Sequence, residues 1–218
     1  MPRVNPVVGK VDKLEIYCRS GIKVLRGICR QITLAGHHGA LFVGKRVLIT
    51  HPRNIFVGSN VKFEDGSEIQ GLATEKMLFS DNVTIGRNTM IRPSSYYGVG
   101  HIGKGLEIGT NSSIGPDGFI GCAGKVKVGK DVMIGPRVMI IAENHNFHSA
   151  DKDIKAQGVH QQGIKIGDNV WIGANVTILD GVEVGSGSVI GASTILTKSV
   201  PENSIIYNKI SRVTKVRS

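Results

Sequence analysis

The sequence predicts an all-β solenoid built from six-residue repeats, and three observations carry that prediction. From Val57 onward aliphatic residues recur every six positions, often followed by Gly; the clearest run is Ile166-Gly167, Ile172-Gly173, Ile178, Val184-Gly185, Ile190-Gly191, Leu196. Neither the 3.6-residue period of a helix nor the two-residue period of an ordinary strand continues through these segments. Aromatic residues make up only 5% of the chain, whereas there are 29 glycines. A core of Val and Ile with that much Gly suits many short, tightly turned strands.

The other runs follow the same rule. Val128-Gly129, Ile134-Gly135, Ile140 form one; Ile102-Gly103, Ile108-Gly109, Ile114-Gly115, Ile120-Gly121, Val126 another; and Phe79, Ile85-Gly86, Ile91 follow a weaker start at Val57-Gly58, Phe63, Ile69. Each hexamer is expected to give one short strand and one corner, with the aliphatic residue inward and the following Gly turning the chain at positive φ. The period slips by two between Val126 and Val128, is interrupted over 92–101, and is broken for longest between Ile140 and Ile166. That last stretch, a loop around 141–163, is polar and holds Asn144, His145, Asn146, His148, Asp151, Asp153 and His160. A long loop leaving a rigid solenoid is where function concentrates.

Ahead of the repeats, residues 1–56 read as a helical cap segment and lead-in, 57–200 as the solenoid, and 201–218 as a basic tail. Within about 10–35, Leu14, Cys18, Ile22, Leu25, Cys29 and Ile32 fall on one helical stripe, flanked by Arg19, Lys23, Arg26 and Arg30. Two readings are open: a helix capping the first coil, or a basic amphipathic helix in peripheral contact with a membrane. The cap is preferred, because an open solenoid end has to be covered.

The formal net charge is +10, which favours polyanionic or phosphate-bearing partners, but the basic residues are spread along the chain. Three cysteines without a CxxC pair argue against a disulfide framework or a structural zinc site. No apolar run is long enough to span a bilayer, and no signal-peptide pattern opens the chain, so a cytoplasmic location is expected. A nucleic-acid-binding or purely structural solenoid would call for a basic stripe with interleaved aromatics, which the sequence lacks.

Specific strings lie in Ala142-Glu-Asn-His-Asn-Phe-His148, Gln161-Gln-Gly163 and Ile166-Gly-Asp-Asn-Val-Trp-Ile-Gly-Ala-Asn175. With the hexamers, they closely resemble the hexapeptide-repeat O-acetyltransferases, the sugar and polysaccharide enzymes related to the maltose and galactoside acetyltransferases. The resemblance covers about 57–200 and is densest from 128 to 200. It implies a left-handed parallel β-helix, acetyl-CoA as cosubstrate, no metal, a sugar or glycan hydroxyl as acceptor, and a homotrimer with the CoA between protomers.

The chemistry asks for a base that takes a proton from a hydroxyl as it attacks a thioester, and neutral imidazole suits that task near pH 7. The resemblance gives this role to His145. Asn144 and His148 are weaker candidates for catalysis or acceptor binding. Glu143, Asp151, Asp153 or a backbone carbonyl could orient the imidazole. By resemblance the Ala174 N–H stabilises the developing oxyanion, Trp171 packs beside the cofactor arm, and Ala192, Thr197 and Lys198 hold the pantetheine and phosphates. Arg212 and Lys215 match basic tail residues that meet the nucleotide phosphates. The chain departs from its relatives at Tyr207-Asn-Lys-Ile-Ser211, where Gly-x-Pro-Ala is usual, and at Ser193, where Gly is usual.

Two rivals share the coil. Antibiotic-inactivating acetyltransferases have a comparable loop and remain open as to acceptor. A γ-class carbonic anhydrase uses three histidines on zinc, and the His145/His148 spacing does not match that family.

Overall fold

The computed structural model describes residues 4–95, 98 and 100–209. Among them, three parallel sheets of seven, eight and seven strands run the length of the solenoid. Consecutive strands belong to successive sheets, so the chain winds round a three-faced prism. In one full coil, Val126–Val128 lies on face 1, Met133–Ile134 on face 2 and Met139–Ile141 on face 3. Each then pairs in register with the next coil: Val128 with Ile166, Ile134 with Ile172, Ile140 with Ile178.

Apart from Ile102, which is half-buried outside the strands, the aliphatic residues read from the hexamers are the ones turned inward. Ile69, Ile91, Ile120, Ile140 and Ile178 stack along face 3 with no exposed surface. Burying each is worth about 1.5–3 kcal/mol, so the core is a set of long aliphatic ladders. Phe63 and Phe79 meet edge-on inside it, with ring centroids 5.1 Å apart.

The step from face 1 to face 2, as in Val128 to Ile134, and from face 2 to face 3, as in Ile134 to Ile140, is six residues throughout. Every insertion enters at the corner from face 3 back to face 1. Ile178 to Val184 keeps the six-residue step there, whereas Ile120 to Val128, Ile69 to Phe79, Ile91 to Ile108 and Ile140 to Ile166 exceed it. The slip at Val126–Val128 is one of these: both valines point inward from a single strand, with Lys127 between them exposed. Both the 92–101 interruption and the 141–163 loop therefore leave the prism along one edge.

The structure corrects three expectations. The coils begin at Gly36–His37, Leu41–Val43 and Leu48–Thr50, ahead of residue 57, and extend to Ile205–Ile206, past residue 200. The glycine after each aliphatic is not the positive-φ residue. That conformation falls two positions later, on Asn60, Asn82, Asn111, Asp131 and Asn169, side chains that tolerate it. The glycine is needed for close approach: a Cβ on Gly115 would stand 2.6 Å from the backbone of Gly135 in the next coil. The positive-φ residues also link coils, as in Asn111 Nδ2 donating to Asp131 Oδ1 at 2.6 Å.

The third correction concerns the helix, α1 (Lys10–Gln31). It packs on the first strand of face 2, Leu41–Val43, as a cap would. The covered side, however, is Ser20, Lys23, Val24, Gly27 and Gln31. Gly27 lies so close to the Leu41 carbonyl that no side chain would fit. Lys23 pairs with Glu64, and the Gln31 amide donates to the Gly39 carbonyl at 2.8 Å. These contacts fix the helix rotation and leave the predicted apolar stripe facing outward: Leu14, Ile22, Leu25 and Ile32 are 64%, 50%, 65% and 82% exposed. No helix of the described residues is long and apolar enough to cross a membrane.

Candidate active site

The 141–163 loop emerges between the fifth and sixth coils and is ordered by its own polar contacts. Asn144–His145 pairs antiparallel with Val159–His160 to make a short hairpin. Gln157 closes its far end: its Oε1 accepts from Ser149 N–H at 3.0 Å, and its Nε2 donates to the Ser149 and Lys152 carbonyls, both at 2.9 Å. Asn146 donates to the Gln157 carbonyl and accepts from His160 Nδ1, both at 3.1 Å, which puts the proton of that imidazole on Nδ1. At the base, Gln161 donates to the Glu143 carboxylate, and Asp180 accepts from the backbone N–H groups of Gln162 and Gly163 at 2.9 and 2.8 Å.

His145 is exposed on this hairpin, and among the described residues no side chain or carbonyl holds its ring. Of the orienting partners considered, Glu143 is engaged by Gln161, while Asp151 and Asp153 are exposed. Phe147 and His148 stack with ring centroids 4.9 Å apart, and both are exposed. The sequence did not single out Gln157 or Asp180, since neither carries a motif. His160 was legible only as one polar loop residue among many.

Trp171 stands elsewhere. It points outward from face 2 of the sixth coil, 53% exposed, between Met133 below and Val189 above. Met133 is 58% and Ile205 70% exposed on the same face, giving an apolar outer strip. Face 1, by contrast, carries charge ladders: Lys125 with Glu107 at 2.9 Å and with Glu75 at 3.1 Å.

Ala174 and Ala192 follow Gly173 and Gly191 at the corner from face 2 to face 3. The same corner position in the two preceding coils is Pro116 and Pro136. At the face 1 to face 2 corner, the corresponding N–H groups are capped by side chains of the next coil: Ser59 by Asp81, Lys130 by Asp168, Asp168 by Ser186. Nothing among the described residues caps the N–H of Ala174 or Ala192. A position that accepts Pro in neighbouring coils contributes no N–H to the ladder, so where Ala stands the donor is left for something outside the chain.

The candidate residues thus fall into two groups. Asn144, His145 and His148 sit on the hairpin at the corner from face 3 to face 1, with exposed Thr197 and Lys198 at the same corner two coils above. Trp171, Ala174 and Ala192 line face 2 and its far corner. A three-faced prism puts the first corner across the body from face 2, and one chain does not bring the groups together. Arg212 and Lys215 lie outside the described residues. Among the described residues, no group of three or more His, Cys, Asp or Glu side chains converges as a metal site would require.

Comparison with known proteins places this geometry among the hexapeptide-repeat proteins. The model of the bacterial transferase hexapeptide (six repeats) matches residues 163–198. The galactoside O-acetyltransferases of Lactococcus lactis and Escherichia coli are each 34% identical, covering 61% and 64% of this chain and 60% and 66% of theirs. The chain is a hexapeptide-repeat protein similar to these O-acetyltransferases. It spans about three fifths to two thirds of the length of these relatives. Escherichia coli WbbJ, a putative lipopolysaccharide biosynthesis O-acetyl transferase, is 30% identical over 41% of this chain and 50% of its own. Among solved structures, a variant of AntD, an N-acyltransferase from Bacillus cereus in complex with an amino-dideoxyglucose nucleotide and coenzyme A, matches with a TM-score of 0.54. It is 18% identical and covers 88% of this chain and 89% of that one, a likeness of fold. The solenoid is accordingly the left-handed parallel β-helix of the hexapeptide-repeat family, an exception to the usual right-handed crossover.

Proposed function

We propose that this hexapeptide-repeat protein transfers an acetyl group from acetyl-CoA to a hydroxyl of a sugar or glycan precursor, with His145 as general base. The observation that carries the reading is the pairing of an unengaged imidazole on a braced hairpin with an uncapped N–H at Ala174. Base and oxyanion donor are the two groups that acyl transfer to a hydroxyl requires. The names of the galactoside O-acetyltransferases and of WbbJ support the acceptor class.

The residues present suit acetyl-CoA. The apolar strip of Met133, Trp171 and Ile205 offers surface to an extended chain, the Ala174 and Ala192 N–H groups offer donors, and exposed Lys198 offers charge for phosphate. Acetyl-CoA supplies the thioester carbonyl and a thiolate leaving group. His145 takes the hydroxyl proton as the acceptor oxygen bonds to the carbonyl carbon. The Ala174 N–H faces the oxygen on which charge develops, and His145 returns its proton to the departing sulfur as the C–S bond breaks. Asn144 and His148 shape the acceptor side, and Arg212 and Lys215 serve the nucleotide phosphates.

The same reading calls for a homotrimer. Base and donor stand at different corners of one prism, so the hairpin of one copy has to meet face 2 of its neighbour to complete a site. The exposed strip of Met133, Trp171 and Ile205 is the kind of surface that such packing covers. The test is acetyl-CoA turnover by the purified protein against a panel of sugars, oligosaccharides and xenobiotics, read as thiol release, beside its sedimentation coefficient. Turnover with a sugar acceptor by a trimer, abolished in His145→Ala, is the expected result. A monomer at assay concentration, or turnover with xenobiotics alone, overturns the corresponding part.

A further inference from the structure

The outward face of α1 is not explained by the solenoid it caps. Leu14, Cys18, Ile22, Leu25, Cys29 and Ile32 recur at three- and four-residue steps and form a continuous stripe opposite Gly27, the residue that meets Leu41. All six are exposed. Val11, in the first turn of the helix, extends the line at 79% exposure. A helix anchored only by its narrow Gly27 side gains nothing from six apolar residues in water, and contiguous exposed apolar surface marks a docking site.

Its flank indicates what docks. Arg19, Arg26 and Arg30 run along one border of the stripe. The helix carries six Lys and Arg against Asp12 and Glu15, and Glu15 is already paired with Arg19. An apolar stripe bordered by arginines suits the boundary of an anionic bilayer, where the apolar side chains enter the acyl region and guanidinium groups meet phosphate. A second copy of this helix fits less well, since the chain carries +10 net charge and the contact would bring basic flanks together. We propose that α1 is a peripheral membrane-docking helix that lies flat on anionic lipid. It stands on the first coil, while the His145 hairpin leaves between the fifth and sixth, about 20 Å away along the solenoid at the usual inter-strand spacing. Docking therefore leaves the candidate site in water, and the proposal does not depend on the reaction assigned above.

The test is co-sedimentation of the full chain with vesicles of phosphatidylcholine alone and of phosphatidylcholine containing about 30% phosphatidylglycerol. The wild-type protein is expected to bind the anionic vesicles at least about tenfold more tightly, with affinity falling as salt rises. A Leu14→Asp/Leu25→Asp double variant loses about tenfold or more of that binding, because it places charge in the apolar stripe. Arg19→Gln/Arg26→Gln/Arg30→Gln loses about a hundredfold and most of the salt dependence. Leu14 and Leu25 face away from the Gly27–Leu41 contact, so thermal unfolding of that variant should be unchanged. Arg26 is half-buried and Arg30 lies one turn from Gly27, so a variant with an altered Tm is replaced by Leu25→Ser or by Arg19→Gln alone. No preference for anionic vesicles, or undiminished binding by the Leu14→Asp/Leu25→Asp variant, overturns the proposal. So does a change in protein sedimentation without lipid, which would assign the stripe to a second copy.

Discussion

Gln161 donates its side-chain amide to the Glu143 carboxylate at 2.7 Å, joining the two ends of the hairpin that presents His145. With the His145 ring otherwise unheld, its position depends on the backbone of Asn144–His145, and that backbone is fixed at its base by this pair. Gln161→Leu should lower kcat by about tenfold with the acetyl-CoA KM unchanged, as a hydrogen bond to a carboxylate is worth about 1.5–3 kcal/mol. Glu143→Gln keeps an acceptor and should retain most of the activity. Steady-state kinetics on both variants check this, and equal losses would show that the pair does not position the base.

His145→Ala should lower kcat by at least about a hundredfold while leaving acetyl-CoA affinity nearly intact, as expected for loss of a general base. His148→Ala should be milder and act on the acceptor KM. The comparison needs both constants for both variants; a reversal of the two phenotypes would move the base to His148.

The repeats from Val57 to Leu196 were readable because each inward position is aliphatic and two of the three corners never change length. The first coil was not, since His37 occupies its face 1 position and Ile49 to Val57 exceeds six residues. Gly in the hexamer was read as a turn residue, but a sequence does not distinguish a glycine that needs positive φ from one that makes room for the next coil. Only the stacked backbones show that a Cβ on Gly173 would stand 2.6 Å from Ala192 N. The apolar stripe of α1 was visible, yet its direction was set by Gly27, Lys23 and Gln31, which a hydrophobic pattern does not weigh. At the site, His145 and Trp171 were named by their motifs. Their separation across the prism depends on which corner carries the loop, and that followed from the topology.

Stability should register the close-approach glycines. Gly115→Ala puts a Cβ 2.6 Å from the Gly135 backbone, which cannot swing aside like a side chain. Overpacking of this kind costs about 1–3 kcal/mol, seen as a lower Tm in calorimetry. Gly21→Ala, on α1 with nothing within 4 Å of the new Cβ, should be neutral or stabilising. Similar Tm values for the two would mean that the coils spread at little cost.

The cysteines should separate by environment. Cys122 is buried within the solenoid, and burial pushes its thiol up to about 12, so the reactive thiolate is scarce at neutral pH. Cys18 and Cys29 are exposed on α1. A thiol reagent at pH 8 should therefore label two of the three cysteines in the native protein and the third only after denaturation. If anionic vesicles cover the α1 stripe, they should slow that labelling, which links this measurement to the docking test. Prompt labelling of all three would mean that the fourth coil opens readily.

The corner prolines give the most discriminating test of the oxyanion assignment. Pro116 and Pro136 occupy the position after the hexamer glycine in the fourth and fifth coils, and Ala174 occupies it in the sixth. The backbone there already accommodates a pyrrolidine ring, and the Ala174 N–H has no partner among the described residues to lose. Ala174→Pro should therefore fold with a Tm close to wild type, unlike proline introduced where an N–H is paired. It removes one donor and adds two carbons at a small, half-buried residue. If that N–H stabilises the developing oxyanion, kcat should fall by about a hundred- to a thousandfold. Ala174→Val keeps the N–H, adds two carbons as proline does and should stay active, which separates lost donation from crowding. Ala192→Pro, one coil further, should act on the acetyl-CoA KM with a smaller change in kcat, because its assigned role is to hold the cosubstrate. Full activity in Ala174→Pro would remove that N–H from the mechanism and leave His145 to be paired with a donor from another part of the assembly.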